Sequence, residues 1–160
     1  MSSDHLSHDA DRRLPEQLAQ EALPNLDLDL HHVGIVCPDA SLIDTFRALT
    51  GVGDESAHDI AFRHVPEFQC DCYLIGRVEL VVPNGPRMEG MPLHRWLLSR
   101  GTSIHHIAFE VTDLDAVCAR LRTEGVPVVL DDAVAGVAGL RVNFVHPSHC
   151  GFLVELVEPE

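Results

Sequence analysis

Four residues of types that bind divalent metals occur at matching points of two similar segments. His32 and His106 each belong to a histidine doublet, in the segments LHHVGIV and IHHIAFE. Glu79 and Glu155 lie further along, in the segments VELVVP and VELVEP, at nearly the same separation from the preceding histidine. Imidazole nitrogens and carboxylate oxygens together suit Zn²⁺, Mn²⁺, Fe²⁺, Co²⁺ or Ni²⁺. We therefore predict one divalent metal ion on these four side chains, with positions left open for water or substrate.

Each doublet offers a choice of ligand, because adjacent residues of a regular strand point to opposite faces. Only one histidine of each pair can then face a shared cleft. His32 and His106 precede the equivalent sequences VGIV and IAFE, which favours them as the ligands. His31 and His105 are interpreted as structural residues or as neighbours of the ligands. Periodicity alone does not decide between the two members of a doublet.

The segments around these residues predict two copies of one βαβββ module. The second helix has the clearest pattern, because apolar residues recur on one face between Asp113, a suitable N-cap, and Gly125, a natural stop. The helices are predicted at 41–49 and 114–125, and the inner strands at 60–65, 70–76, 127–131 and 140–146. The fold class that we expect is α+β.

The repeat divides the chain into four parts. They are a polar N-terminal extension (1–28), a first module (29–85), a linker with a short helix near 92–99 (86–102) and a second module (103–160).

Composition excludes several classes of partner. The chain has 160 residues, is 46% hydrophobic and carries a formal net charge of −14, which disfavours nucleic acid and anionic membranes. No segment approaches the roughly 20 apolar residues of a membrane helix, and the N-terminus lacks the apolar core of a signal peptide. The five cysteines fit neither a zinc ribbon nor a CxxC pair. They are interpreted as reduced thiols of a cytoplasmic protein, with Cys70 and Cys72 on one strand face in a structural role.

Four stretches resemble the vicinal oxygen chelate superfamily, which includes glyoxalase I, extradiol dioxygenases and fosfomycin-resistance proteins. The stretches are LHHVGIVCPD, VELVVP, PLHRWLLSRGTSIHHIAFEVTDLDAV and HPSHCGFLVELVEP. Within the superfamily the sequence is most similar to the methylmalonyl-CoA epimerase family. The resemblance implies two modules that form a curved mixed sheet around a metal cleft, with His32, Glu79, His106 and Glu155 as ligands. It also implies a homodimer.

The same resemblance implies an isomerase whose substrate chelates the metal through two neighbouring oxygens. In an epimerase these are the thioester carbonyl and the free carboxylate of a 2-substituted malonyl group. The metal stabilises an enolate while a base removes the α-proton, and another acid returns a proton to the opposite face. Glu155 is expected to take part by loosening its hold on the metal. The expected partner is a small molecule, an acyl-CoA among the candidates.

One position departs from the epimerase pattern. Arg63 and His64 stand where the family carries a glutamate that acts as an acid or base. Histidine can transfer protons near neutral pH, so His64 is a candidate catalytic residue, although a surface histidine at a strand end is an equal alternative. Arg63, Arg87, Arg95 and Arg100 are available to bind the phosphates of CoA, and Arg63 and Arg95 are the two that we select. Solubilising surface arginines are the alternative.

Two other functions remain open from the sequence. One is a different enzyme of the same superfamily, a lyase or an extradiol-type dioxygenase. The other is a member that binds small molecules without catalysis. Glu79 as a fourth ligand argues against an iron dioxygenase, whose iron is held by two histidines and one carboxylate. The intact set of four ligands argues against a binding protein.

Overall fold

The structure, a computed structural model, describes residues 28–51, 60–85 and 90–159. The strands are β1 (Asp29–Val36), β2 (Ile60–Val65), β3 (Cys70–Ile75), β4 (Val78–Pro83), β5 (Ser103–Glu110), β6 (Val134–Ala135), β7 (Leu140–Val145) and β8 (Leu153–Pro159). The helices are α1 (Ile43–Thr50), α2 (Pro92–Arg100), α3 (Leu114–Thr123) and α4 (Pro147–Cys150), with 3₁₀ turns at Ala40–Leu42 and Val137–Gly139. All but the last residue of the predicted N-terminal extension, 1–28, lies outside the described residues.

The eight strands form one mixed sheet in the order β2-β3-β4-β1-β5-β8-β7-β6. β1 pairs parallel with β4, and β5 pairs parallel with β8. In the centre, β1 and β5 pair antiparallel. Each half of the chain therefore sets its first strand beside its last, and the two halves join through their first strands. The predicted α+β fold of two βαβββ units is confirmed.

The two faces of the sheet bury different cores. The outer face carries α1 over Cys37, Ile75 and Leu80, and α3 over Val145 and Leu156. On the inner face the two halves meet across a cleft. The rings of Phe68 and Phe144 lie 5.6 Å apart there, and Val137 packs into the cluster of the first half. With these contacts between its two halves, the sheet is curved and nearly closed.

The helices follow the sequence pattern closely. In α3 the Asp113 side chain accepts a hydrogen bond from the Ala116 amide at 2.9 Å, which confirms the predicted N-cap. Gly125 follows the helix with a φ of +77°, a conformation that glycine adopts without strain. In α2, Leu93 is buried against the inner face of the first half. None of the described helices has the length and apolar character that a membrane-spanning segment requires.

The prediction of a strand at 127–131 was wrong. Within it only Val128 makes a strand-like bridge, to Val145, and the sixth strand is the short β6. The Asn143 side chain explains the difference. Its amide group bonds both the N–H and the carbonyl of Leu130, at 3.1 Å each, in place of a regular backbone ladder. A sequence pattern does not reveal this substitution of a side chain for a strand neighbour.

Candidate metal centre and cavity

Two rows of three residues cross the centre of the sheet, each in the order glutamate, small residue, histidine. The rows are Glu79, Gly34, His106 and Glu155, Ala108, His32. Each row joins three neighbouring strands, because the small residue pairs with the glutamate on one side and with the histidine on the other. Each glutamate is therefore level with the histidine of the other half. Both halves therefore contribute to each row.

The four charged or polar side chains of these rows converge on one point. His32 Nε2 lies 2.9 Å from Glu155 Oε2 and 3.5 Å from Glu79 Oε2. His106 Nε2 lies 3.1 Å from Glu155 Oε2 and 3.2 Å from Glu79 Oε2. The two Nε2 atoms are 3.2 Å apart. The structure thus brings together all four residues that the sequence singled out as ligands.

The four side chains are buried, so their charges must compensate one another. Burial by itself lowers the pKa of His32, but the Glu155 and Glu79 carboxylates outweigh it and raise that pKa to about 9. The same carboxylates raise the pKa of His106 to about 10 against the effect of burial. Burial raises the pKa of each glutamate, and the two imidazoles outweigh it and hold both pKa values below the usual range.

The cluster fits a divalent ion by chemistry and by spacing. Two atoms bound at about 2.1 Å to one ion lie about 3.0 Å apart at a right angle and about 3.4 Å apart at a tetrahedral angle. The separations between the ring nitrogens and the carboxylate oxygens span this range. Glu155 Oε2 is fully buried, and no N–H is aligned with it for a hydrogen bond. A buried oxygen in that state is suited to a cation. Two nitrogens and two oxygens suit Zn²⁺, Mn²⁺, Fe²⁺, Co²⁺ or Ni²⁺.

Gly34 makes the convergence possible. A Cβ atom added at Gly34 would overlap Cε1, Nε2 and Nδ1 of the His106 ring. The ring therefore lies directly over the backbone of β1, where any other side chain would displace it. Ala108 occupies the equivalent place in the second row and is fully buried beside His32. The small residue between glutamate and histidine is a requirement of the site.

A cavity of about 630 Å³ opens above the cluster, within the usual size of a small-molecule site. Its floor includes Glu79, His106 and Glu155, and its walls come from both halves and from α2. At its exposed end lie Ile104 and Phe152, which are 62% and 47% exposed. The walls between floor and mouth are mainly apolar. They are Val65, Phe68, Val81, Leu93, Val137, Val142 and Phe144.

The structure does not bring His64 to this cavity. His64 pairs with Asp71 across β2 and β3, and its Nδ1 lies 2.8 Å from Asp71 Oδ1. Cys70 and Cys72, on either side of Asp71 in β3, line the cavity, so Asp71 and His64 lie on the opposite face of the sheet. His64 is largely exposed there. The sequence alone could not place His64 on this face, because the assignment depends on the pairing of β2 with β3.

The two predicted substrate-binding arginines also lie outside the cavity wall. Arg63 is exposed on the edge strand β2, and Arg95 is exposed on α2. Within the described part of the chain, the arginine that lines the cavity is Arg100, whose guanidinium carbon lies 4.2 Å from the centre of the Trp96 ring. Trp96 and Arg100 are four residues apart, which places them on one face of a helix. This spacing was the feature of the sequence that could have singled out Arg100.

We predict that Gly34→Ala weakens metal binding, because the added methyl group forces the His106 ring out of the cluster. The wild-type protein is expected to hold one divalent ion per chain. The variant is expected to lose affinity by about 10- to 100-fold, the range seen when ligands lose their support. Elemental analysis and titration with Zn²⁺ measure both. Gly90→Ala is the matched control, since no atom of the described residues lies within 4 Å of a Cβ there. Equal affinity in both variants would contradict this geometry.

The raised pKa values of His32 and His106 predict how the metal-free protein responds to pH. Both histidines bind protons more tightly when folded than in the unfolded chain, where the pKa is about 6.5. Their contribution to stability is complete below about pH 6.5 and is lost as the pH rises towards 9 and 10. Urea unfolding after chelation should give a free energy of unfolding that falls from pH 6.5 to pH 10. A value that stays constant or rises would count against the buried charge pairs. The exposed His149→Asn variant should behave like the wild type.

Comparison with known proteins identifies the family of this chain. The family model of the glyoxalase/bleomycin resistance protein/dioxygenase superfamily matches residues 31–144. The ethylmalonyl-CoA/methylmalonyl-CoA epimerase of Cereibacter sphaeroides is 33% identical over 138 residues, which cover 79% of this chain and 95% of that protein. The mitochondrial methylmalonyl-CoA epimerase of Mus musculus is 27% identical over 150 residues, which cover 89% of this chain and 80% of that protein.

Solved structures give the same picture. The methylmalonyl-CoA epimerase of Mycobacterium tuberculosis superposes with a TM-score of 0.70 at 30% identity, covering 89% of this chain and 95% of that chain. A variant of the Streptomyces coelicolor enzyme in complex with 2-nitronate-propionyl-CoA superposes with a TM-score of 0.67 at 28% identity, covering 81% and 96%. From its sequence, its sheet and its relatives, the chain belongs to the glyoxalase/bleomycin resistance protein/dioxygenase superfamily.

Proposed function

We propose that this protein is a divalent-metal-dependent epimerase that inverts the α-carbon of a 2-substituted malonyl-CoA, with methylmalonyl-CoA as the first substrate to test. The observation that carries the proposal is the convergence of His32, Glu79, His106 and Glu155 in one cluster, of which Glu79, His106 and Glu155 line the floor of the cavity. The similarity to methylmalonyl-CoA epimerases supports the choice of reaction. The proposal includes the four residues as the metal ligands.

The cavity supports an acyl-CoA as the substrate. Its apolar walls suit the 2-alkyl group and the pantetheine chain, and its floor holds ligands for the ion that the malonyl oxygens would chelate. Arg100 at the exposed end supplies a positive charge for a phosphate of CoA. We assign that contact to Arg100 because it lines the cavity, whereas Arg63 and Arg95 do not. Trp96 beside it holds the guanidinium in place.

The bound ion would act as a Lewis acid that stabilises the negative charge on two neighbouring substrate oxygens. The chain itself must then take a proton from one face of the α-carbon. Glu155 is the residue that we assign to this step, because it lines the cavity and its Oε2 lies in the cluster without an aligned hydrogen bond. A carboxylate so placed can accept a proton when it is released from the ion.

Inversion also needs a proton donor on the opposite face of the α-carbon. We assign Cys72 to this step in place of His64. Cys72 is the direct cross-strand partner of Arg63, so it lies level with the position where the epimerase family carries its glutamate. β3 and β8 lie on opposite sides of the central pair β1–β5, so Cys72 and Glu155 approach the cavity from opposite sides. The neighbouring Cys70 thiol, burial and the Glu79 carboxylate raise the pKa of Cys72, so this side chain holds its proton as a neutral thiol and is assigned only the donation to the α-carbon.

The proposed reaction predicts exchange of the α-proton with solvent. In D₂O the metal-loaded protein is expected to place deuterium at C2 of methylmalonyl-CoA and to interconvert its two epimers, above the rate without protein. Glu155→Gln keeps an oxygen ligand but cannot take a proton, so it should retain metal and lose at least about 100-fold of the rate. Glu67→Gln, an exposed residue outside the cavity, is the control.

Mass spectrometry measures the deuterium at C2, and chiral analysis of the acyl group measures the interconversion of the epimers. A protein that holds its ion and catalyses no exchange would overturn the epimerase assignment. It would direct attention to a lyase or another reaction of the superfamily. A protein that binds no divalent ion at all would also overturn the assignment of the four ligands.

The role of Cys72 predicts a separation of exchange from inversion. Cys72→Ser is expected to exchange the α-proton of one epimer through Glu155 while interconversion of the epimers falls by about 100-fold or more. Cys70→Ser is the matched control, because Cys70 lies on the same strand face with its Sγ 3.8 Å from that of Cys72. If Cys72→Ser interconverts the epimers at the wild-type rate, another group supplies the second proton.

A further inference from the structure

The central pair of strands, β1 and β5, changes register at two places. Leu30 pairs with Phe109, and the next pair is His32 with Ala108, so β1 contains one extra residue, His31. An extra residue of this kind is a β-bulge, which bends the strand and re-aims the side chains around it. In a regular strand His31 and His32 would face opposite sides of the sheet. Here their Nδ1 atoms lie 2.8 Å apart.

The second register change is the counterpart of the first. Gly34 pairs with His106, and the next pair is Ile35 with Ile104, so β5 contains one extra residue, His105. Its Nδ1 lies 3.1 Å from Nδ1 of His106. In both halves, therefore, the bulge residue is the histidine that precedes a cluster histidine, and it meets that histidine through the same ring atom.

These contacts use the ring nitrogen that the cluster leaves free. Both cluster histidines direct Nε2 to the centre and Nδ1 to the bulge histidine. A histidine that binds a metal through Nε2 carries its proton on Nδ1, and that N–H requires an acceptor. A neutral imidazole can accept it through its own Nδ1 if its proton is on Nε2. The usual partner of a metal-binding histidine is a carboxylate or a carbonyl, and here a second imidazole takes that place.

We propose that His31 and His105 are positioning residues that accept the Nδ1–H of His32 and His106. Each fixes the tautomer and the rotation of its neighbour, so that both Nε2 lone pairs point at the shared ion. This inference rests on the proposed metal site and adds two residues to it. The Trp96 ring packs edge to face against the His105 ring, with the two ring centres 4.9 Å apart, and so restricts the rotation of His105. The Trp96 indole N–H in turn donates to Ser103 Oγ at 3.0 Å.

The test compares variants that remove the acceptor with variants that keep one. His31→Ala and His105→Ala lose the ring, whereas His31→Asn and His105→Asn carry an amide oxygen near the former position of Nδ1. Zn²⁺ affinity is measured by competition with a chromophoric chelator at fixed pH, without substrate. We expect each alanine variant to bind about 10- to 100-fold more weakly and each asparagine variant to recover most of the loss. Circular dichroism establishes that all four variants are folded.

A second measurement reads the hydrogen bonds themselves. Long-range ¹H–¹⁵N NMR of the histidine rings is expected to show the proton of His31 and His105 on Nε2, and a protonated Nδ1 on His32 and His106. Alanine variants with wild-type affinity, or a proton on Nδ1 of His31 and His105, would overturn the inference while leaving the metal site intact. Absence of Zn²⁺ binding by the wild type would instead overturn the proposed function. In that case the ring protons of the metal-free protein still decide whether these hydrogen bonds exist.

Discussion

The antiparallel pairing of β1 with β5, with a small residue in each row, is the constraint on which the site depends. Four side chains from four strands can meet only if the strands between them leave room above the sheet. Gly34 and Ala108 provide that room, one in each row, and both lie on the antiparallel seam where the two halves join. The sheet curves around this seam, so that residues of both ends of the sheet form one cavity over the cluster.

The buried charges impose a second requirement on the fold. Two carboxylates beneath an apolar cavity are costly unless positive charge lies beside them. Without an ion, protons on His32 and His106 supply that charge, which is why both histidines bind protons tightly. With an ion, the ring nitrogens must give up those protons before they can act as ligands. Binding of a divalent ion therefore replaces the two imidazole protons. The net charge of the site stays the same, because two positive charges leave and two arrive.

Much of the fold and of the candidate site could be predicted from the sequence, because the repeat is strong. The two modules, the helix at α3 and its cap, and the four residues of the cluster all follow from matching segments. The resemblance to the epimerases was correct at the level of the superfamily. The predicted homodimer and cytoplasmic location stay predictions.

The rest depends on pairing between distant strands, which the sequence does not encode locally. The register of β2 against β3 places His64 on the outer face and Cys72 on the inner one. The rule that neighbouring strand residues face opposite sides holds in regular strands, and both histidine doublets lie at bulges, where it fails. A side chain, Asn143, replaced a strand partner at Leu130 and so removed the strand expected at 127–131. Each of these is a long-range contact that alters a local pattern.

The division of the cluster between the two halves has a thermodynamic consequence. Each half brings one histidine and one glutamate, so neither half alone offers an ion more than two ligands. The affinity for metal and the docking of the halves are then parts of one equilibrium, and each strengthens the other. A substitution anywhere along the β1–β5 seam can change metal affinity without touching a ligand. Substitutions of apolar residues along the seam are therefore a second route, besides substitutions of the ligands, by which the metal affinity can change during evolution.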